Sequence, residues 1–399
     1  MSKHLKPIFM LLILCIFTGI PCRVSEAKTC EDADILVNLQ EARKMAKETA
    51  LEWAEALKPN VNLTAGDVQD VITADGSWEF VVSYAKGKSS YGYASVIVDE
   101  NGAVVKKAVL DKGAETPAEE IQEQAEALPE VQTDDIQEPE TLVALDDLNY
   151  AAAYEDEQGE EVYVDENGQI YSDDFLCSAM KYKDEKTIFI KTKNWVSTKY
   201  KVNSKTELIL PKYTAKHTLI EDDRPIELLN YYACSIQSLM QIAYMEGLIS
   251  SYSNKNIKAF YNDMRSRNVI ASEKKGSSFI EGSTFLEKAA KGFIKYAVDA
   301  GYKGTEFKGN KKNPDINWIR NKLEYNRPIL FAYKININGN TNNGHMISIL
   351  GAMKAKKVSS GNTWNYIKVY DGWNSLPAYI NYDCVDFVSS RATYFWVKK

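Results

Sequence analysis

One cysteine in this chain stands where a thiol can react. Cys234 lies in NYYACSIQSLMQIAYMEGL, Asn230 to Leu248. Beyond it Ile236, Leu239, Met240, Ala243 and Gly247 recur at three- and four-residue spacing, which predicts a helix with one buried face, ended by Gly247. A cysteine in the first turn meets unpaired backbone N–H groups and the positive end of the helix dipole, and both favour the thiolate. A thiolate is a nucleophile. The plainer alternative is a small apolar residue packed in a core.

Thiol chemistry needs a base, and the chain offers three histidines, His4, His217 and His345. His345 follows the Gly- and Asn-rich loop NTNNG and opens the apolar strand HMISILGAM, a place that exposes an imidazole at a strand edge. His217, in YTAKHTLIED, has no such setting and reads as surface or structural. Asp371 ends the strand NYIKVY and precedes Gly372 and Trp373. An acceptor placed there fixes the tautomer of an imidazole and steadies its cation; an ordinary Asp-Gly turn is the alternative. Thiol, imidazole and carboxylate together are the apparatus of acyl transfer through a thioester. That chemistry needs no metal or organic cofactor.

The elements that must position these groups divide the chain of 399 residues by charge. Residues 1–112 carry 13 basic and 15 acidic side chains, residues 113–180 carry 21 acidic and no basic ones, and residues 181–399 carry 35 basic against 19 acidic, a net of +16. The chain opens as a leader over residues 1–27: Lys3 and Lys6, the short apolar run PIFMLLILCIFTGI, then Ser25 and Ala27 at the −3 and −1 places of a cleavage site. The mature chain then starts at Lys28 and is exported, secreted or held at the cell surface. Pro21 before Cys22 is wrong for a lipidation site. His4 leaves with the leader. Four cysteines remain, Cys30, Cys177, Cys234 and Cys384. Their scatter excludes a disulfide-rich scaffold and argues against structural zinc, while leaving room for one disulfide among Cys30, Cys177 and Cys384.

Residues 28–112 read as a helix from near Asp34 to AEALKPNV, then strands at WEFVVSYA, YGYASVIVDE and AVVKKAVLD, with a hairpin turn at Asp99 to Gly102. Residues 113–176 read as an acidic linker, extended or partly helical and broken by Pro117, Pro129 and Pro139, with a short hairpin around Glu166-Asn167-Gly168. It is either a solvated spacer or an acidic cover for the basic region that is released when cut. Residues 177–399 read as strands at KTIFIKTKNW, STKYKVN and ELILPKYT. Helices follow at Cys234, IKAFYNDMRSR, TFLEKAAKGFIKYAVDAG and NPDINWIRNKLEYN, and strands return at PILFAYKI, HMISILGAM, NYIKVYDGW and ATYFWVK. Helices first and an antiparallel sheet after is an α+β plan with two facing layers. The 24 tyrosines fit a large sheet. There is no P-loop or dinucleotide fingerprint, and neither a nucleic-acid partner nor a stable membrane span is expected.

The order Cys234, His345, Asp371, on a helix start, a strand start and the end of the next strand, resembles the papain-like cysteine proteases. The nearer likeness is to the secreted bacterial bacteriocin-leader-peptidase-like and streptopain-like groups, in which a Gln stands seven residues after the Cys, here Gln241, and a Gly precedes the His, here Gly344. Asp371-Gly372-Trp373 is similar to the Asn-Ser-Trp of papain, with Asp for Asn. The likeness covers residues 220–395. The pattern of residues 28–112 resembles the cystatin-like or PepSY-like pro-segments that precede some secreted bacterial proteases. The resemblance implies a papain-like catalytic domain over 177–399 behind a pro-domain, and an exported cysteine peptidase made as a zymogen. It acts on peptide or protein substrates with its own pro-segment as partner. Departures are Leu228 where the family places the oxyanion-hole Gln, leaving Asn230 as the candidate donor, Ser235 for the Gly after the Cys, and a longer interval from His345 to Asp371, read as a hairpin insertion at MKAKKVSSGNTW. A cell-wall amidase or transglutaminase with the same triad, and a non-catalytic binding protein on a papain-like fold, are the alternatives.

Overall fold

Asn38 decides where the first helix begins. Its side chain accepts the Glu41 N–H at 2.9 Å and the Glu41 carboxylate accepts the Asn38 N–H at 2.9 Å. This reciprocal capping box starts α1, Leu39–Leu57. The expected start near Asp34 is too early, because Asp34–Val37 is a strand, β1, paired antiparallel with β10, Ile188–Lys191. The computed structural model describes residues 34–74, 76–131, 138–166, 168–172, 188–191, 200–207, 234–251, 253–267, 269, 285–334, 344–358, 360–372, 376–387 and 389–398. The leader at 1–27, Cys30, Cys177, His217, Asn230 and Trp373 lie outside them, as does nearly all of the strand expected at ELILPKYT.

Helix α1 buries Ala42, Met45, Ala46, Ala50, Trp53 and Ala54 on four antiparallel strands. These are β2 (Thr64–Ile72), β3 (Trp78–Lys86), β4 (Ser89–Asp99) and β5 (Gly102–Leu110). Trp53 is 1 % exposed, and burying a side chain of that size stabilises by roughly 2–3 kcal/mol. The β4–β5 turn is the expected one: Asp99 pairs with Gly102, which has φ +97°. Strand β2 was not expected, since TAGDVQDVI buries little beyond Val71. In β5 the register slips so that Ser95 faces Lys107 while Val96 faces Val105, leaving Lys106 as an extra residue. This bulge turns both lysines toward the face that α1 does not cover.

The acidic stretch is folded rather than a tether. Thr116 and Glu119 cap α2, Pro117–Ala127, and four strands follow: β6 (Thr141–Ala144), β7 (Tyr150–Glu155), β8 (Glu161–Asp165) and β9 (Ile170–Ser172). Charge alone predicts a solvated segment, but Ala118, Ile121, Leu142, Leu148, Tyr150 and Val164 are buried in one core with the sheet. The β8–β9 hairpin is present as anticipated, with Val164 opposite Ile170. Among the described residues of this stretch, the acidic side chains of Glu120, Asp146, Asp165 and Glu166 are buried.

The remaining helices are α3 (Cys234–Met245), α4 (Asn254–Ser266), α5 (Leu286–Asp299) and α6 (Ile316–Glu324). The remaining strands are β11 (Tyr200–Glu207), β12 (Glu306–Lys312), β13 (Ile329–Lys334), β14 (Gly344–Lys357), β15 (Thr363–Tyr370), β16 (Ala378–Asn381) and β17 (Ser389–Trp396). The segment expected as an insertion simply lengthens the β14–β15 hairpin, with Lys356 opposite Thr363. Among the described residues the fold is α+β, six helices on a mostly antiparallel sheet of 15 strands. Only β2 with β6 is parallel among its pairings. The two halves join where β16 pairs with β5, Ala378 to Val109 and Ile380 to Lys107. A bulge at Leu350 reverses the alternation along β14, so Met346 and Met353 lie on one face. Helices α3, α4 and α5 cover that face at one end and α1 at the other, while α2 and α6 cover the opposite face. Among the described residues no helix is long and apolar enough to cross a membrane.

Candidate active site

Helix α3 is buried almost all round. Ser235 to Ala243 are all inaccessible. It ends as its sequence predicts: Gly247 has φ +71°, its N–H bonds Tyr244 O at 3.0 Å, and Leu248 N–H bonds Ala243 O at 2.8 Å, a Schellman closure. One turn into the helix, Ser238 Oγ donates to Met346 O at 2.8 Å. That bond fixes the first turn of α3 against the start of β14. Cys234, the first helical residue, is half-buried there. The backbone N–H groups of Met346, Ser235 and Cys234 itself face its sulfur and favour the thiolate, but burial outweighs them and pushes the thiol up to about 11. The depression expected from the helix terminus is therefore overruled by desolvation.

His345 is the second residue of β14, opposite Tyr333 of β13. The two rings meet edge to face at 5.7 Å. His345 Nε2 lies 2.7 Å from the main-chain O of Asp371. A carbonyl only accepts, so Nε2 carries the hydrogen and Nδ1 is the basic nitrogen of the neutral ring. Alternation along β14 sends Met346 toward α3 and His345 toward Tyr333 and Ile347. Thiol and imidazole thus lie on opposite faces of the beginning of β14.

Asp371 follows β15 and is 1 % exposed. The expected contact of its carboxylate with the imidazole is replaced by the carbonyl contact above. The carboxylate instead lies 3.5 Å from Lys107 Nζ, both side chains fully buried. Lys107 also donates to Leu148 O at 3.1 Å and stands over the Tyr93 ring at 6.0 Å. Glu166 is buried beside this pair. Its carboxylate oxygens have no side-chain hydrogen-bond partner among the described residues, and burial, against the pull of Lys107 and a Tyr150 backbone N–H and with the push of Asp371, raises it to about 8. Lys106, in the same polar layer, has its own partner, Glu79 at 2.6 Å.

Of the sequence candidates, the structure brings Cys234, His345 and Asp371 to one corner, at the start of β14 and the end of β15. Asn230 lies outside the described residues. Sequence reasoning missed Lys107. The signal was two adjacent lysines inside the apolar strand AVVKKAVLD, where one at least must be buried. Cys384 is a free thiol, half-buried. Comparison with known proteins finds no matching family model and no significantly similar curated protein.

Proposed function

We propose that the chain is an exported thiol peptidase of the papain-like kind, with Cys234 as nucleophile and His345 as base. One observation carries the reading: Met346 N–H meets the Cys234 sulfur while the preceding residue, His345, holds its Nε2 hydrogen on the Asp371 carbonyl. Nδ1 is then the nitrogen that can take a proton. With the thiol near 11, attack is base-assisted. Nδ1 takes the Sγ proton as sulfur bonds to the substrate carbonyl carbon. The tetrahedral oxyanion is held by backbone N–H groups at the start of α3, with Asn230 as the proposed side-chain donor. Such donors contribute about 3 kcal/mol each. The imidazolium returns its proton to the leaving amine. A water then adds to the thioester, His345 taking its proton, and the acid leaves with the thiol restored.

The zymogen part of the reading takes a changed form. Strands 64–110 are hydrogen-bonded into the sheet that carries His345, so cutting the chain does not by itself free the N-terminal region. A non-catalytic binding role has one observation in its favour, the raised thiol. Alkylation mapped by mass spectrometry separates the two. A peptidase gives Cys234 modification by iodoacetamide at neutral pH, well ahead of Cys384. Equal or absent labelling of Cys234 sinks the peptidase reading. Turnover of peptides against wall fragments by the labelled-competent protein separates peptidase from amidase or transglutaminase.

A further inference from the structure

We infer that Lys107 is a positioning residue of this site: it anchors the Asp371 carboxylate so that the Asp371 carbonyl holds His345, making the N-terminal region a permanent part of the working unit. The inference rests on the peptidase reading above. Its chain of contacts is short. Lys107 Nζ lies 3.5 Å from Asp371 Oδ2, and Asp371 O lies 2.7 Å from His345 Nε2. Both charged side chains are fully buried, so water cannot take the place of either partner. Asp371 stands just past the end of β15, beside Gly372 with φ +91°, where the sheet ladder no longer holds the backbone. Its side chain ties the end of the strand to Lys107 of β5.

Three segments supply the surroundings. Lys107 comes from β5, held on one face by the β4 Tyr93 and reached by Leu148 O and by Glu166. Glu120 and Asp165 stand behind Tyr93 and Glu166. Asp371 comes from the far half of the sheet, and β16, which pairs with β5 opposite Lys107 itself, is the seam between them. With Lys107 gone, the buried carboxylate loses this cation, and the hold it gives the Asp371 carbonyl on His345 Nε2 is relaxed.

The test is the pH profile of Cys234 alkylation in the full chain. Lys107→Met lowers the rate at neutral pH by about tenfold or more and shifts the profile, since the acceptor on Nε2 sets how readily Nδ1 takes a proton. Lys106→Met removes an equally buried cation from the same layer, bonded to Glu79 and not to Asp371, and leaves the profile as in the wild type. A folded Lys107→Met protein with the wild-type rate and profile overturns the inference and leaves the peptidase reading standing. A wild type whose Cys234 is inert sinks both. If Lys107→Met does not fold, the charge-balanced Lys107→Met/Asp371→Asn pair is used. An altered profile supports the inference, and a wild-type profile overturns it.

Discussion

At the residue scale two titrations decide what can be measured. Burial pushes the Cys234 thiol to about 11, so an unaided thiol should alkylate about tenfold faster per pH unit up to that value. With His345 as base, the wild type should instead reach a plateau near neutral pH, while His345→Ala should show the steep rise. Identical profiles for the two would remove His345 from the mechanism. Glu166 is the second group. It is protonated in the folded chain below about 8, whereas its ordinary value is 4.5. Between those values folding takes up a proton, so its contribution makes stability fall as pH rises, by at most about 1.4 kcal/mol per unit. Below that window the penalty is absent. Glu166→Gln keeps the shape of the protonated acid and should flatten the dependence, with a higher Tm than wild type at pH 8 and none of the gain at pH 4. Equal Tm differences at both values would mean that Glu166 does not carry the proton.

At the element scale the placement of Cys234 depends on how α3 is held at both ends. Ser238 fixes its beginning to β14, and Gly247 closes its end in a conformation that other residues adopt at a cost. A Cβ at Gly247 meets nothing within 4 Å, so Gly247→Ala isolates backbone strain from crowding. It should destabilise by about 1 kcal/mol, read as a lower denaturation midpoint with an unchanged denaturant slope. A neutral result would show that the Schellman closure is not needed. The bulge at Lys106 is the other device. It puts two successive lysines on one face of β5, where regular alternation would send one of them under α1.

At the scale of the whole molecule, β16 on β5 joins what charge and pattern divide. The acidic segment is held by buried Ile121, Leu142, Tyr150 and Val164, a force that salt does not screen. A single cut by an outside protease between Glu115 and Asp174, made in Cys234→Ala, should leave two pieces that co-elute from about 0.1 to 1 M salt and part only in denaturant. Separation at high salt would restore the view of the segment as an electrostatic cover. Much of the fold was legible in the residues. The three-four spacing after Cys234, the capping signals and the alternating strands are local, and local patterns suffice for helix α3, the β4–β5 hairpin and the α+β class. The candidate site was legible in part, as Cys234, His345 and Asp371 declare themselves by residue type and by their place at element ends. What no local pattern carries is pairing between distant strands, burial, and the partner of a charge. The order of strands was decided by tertiary contact, and so was the folding of the acidic stretch, because apolar side chains spaced among carboxylates gain only once a sheet is there to cover. Desolvation of Cys234 needs the walls around it. Asp371 reads as the partner of an imidazole until β5, more than two hundred residues earlier in the chain, arrives beside it with Lys107.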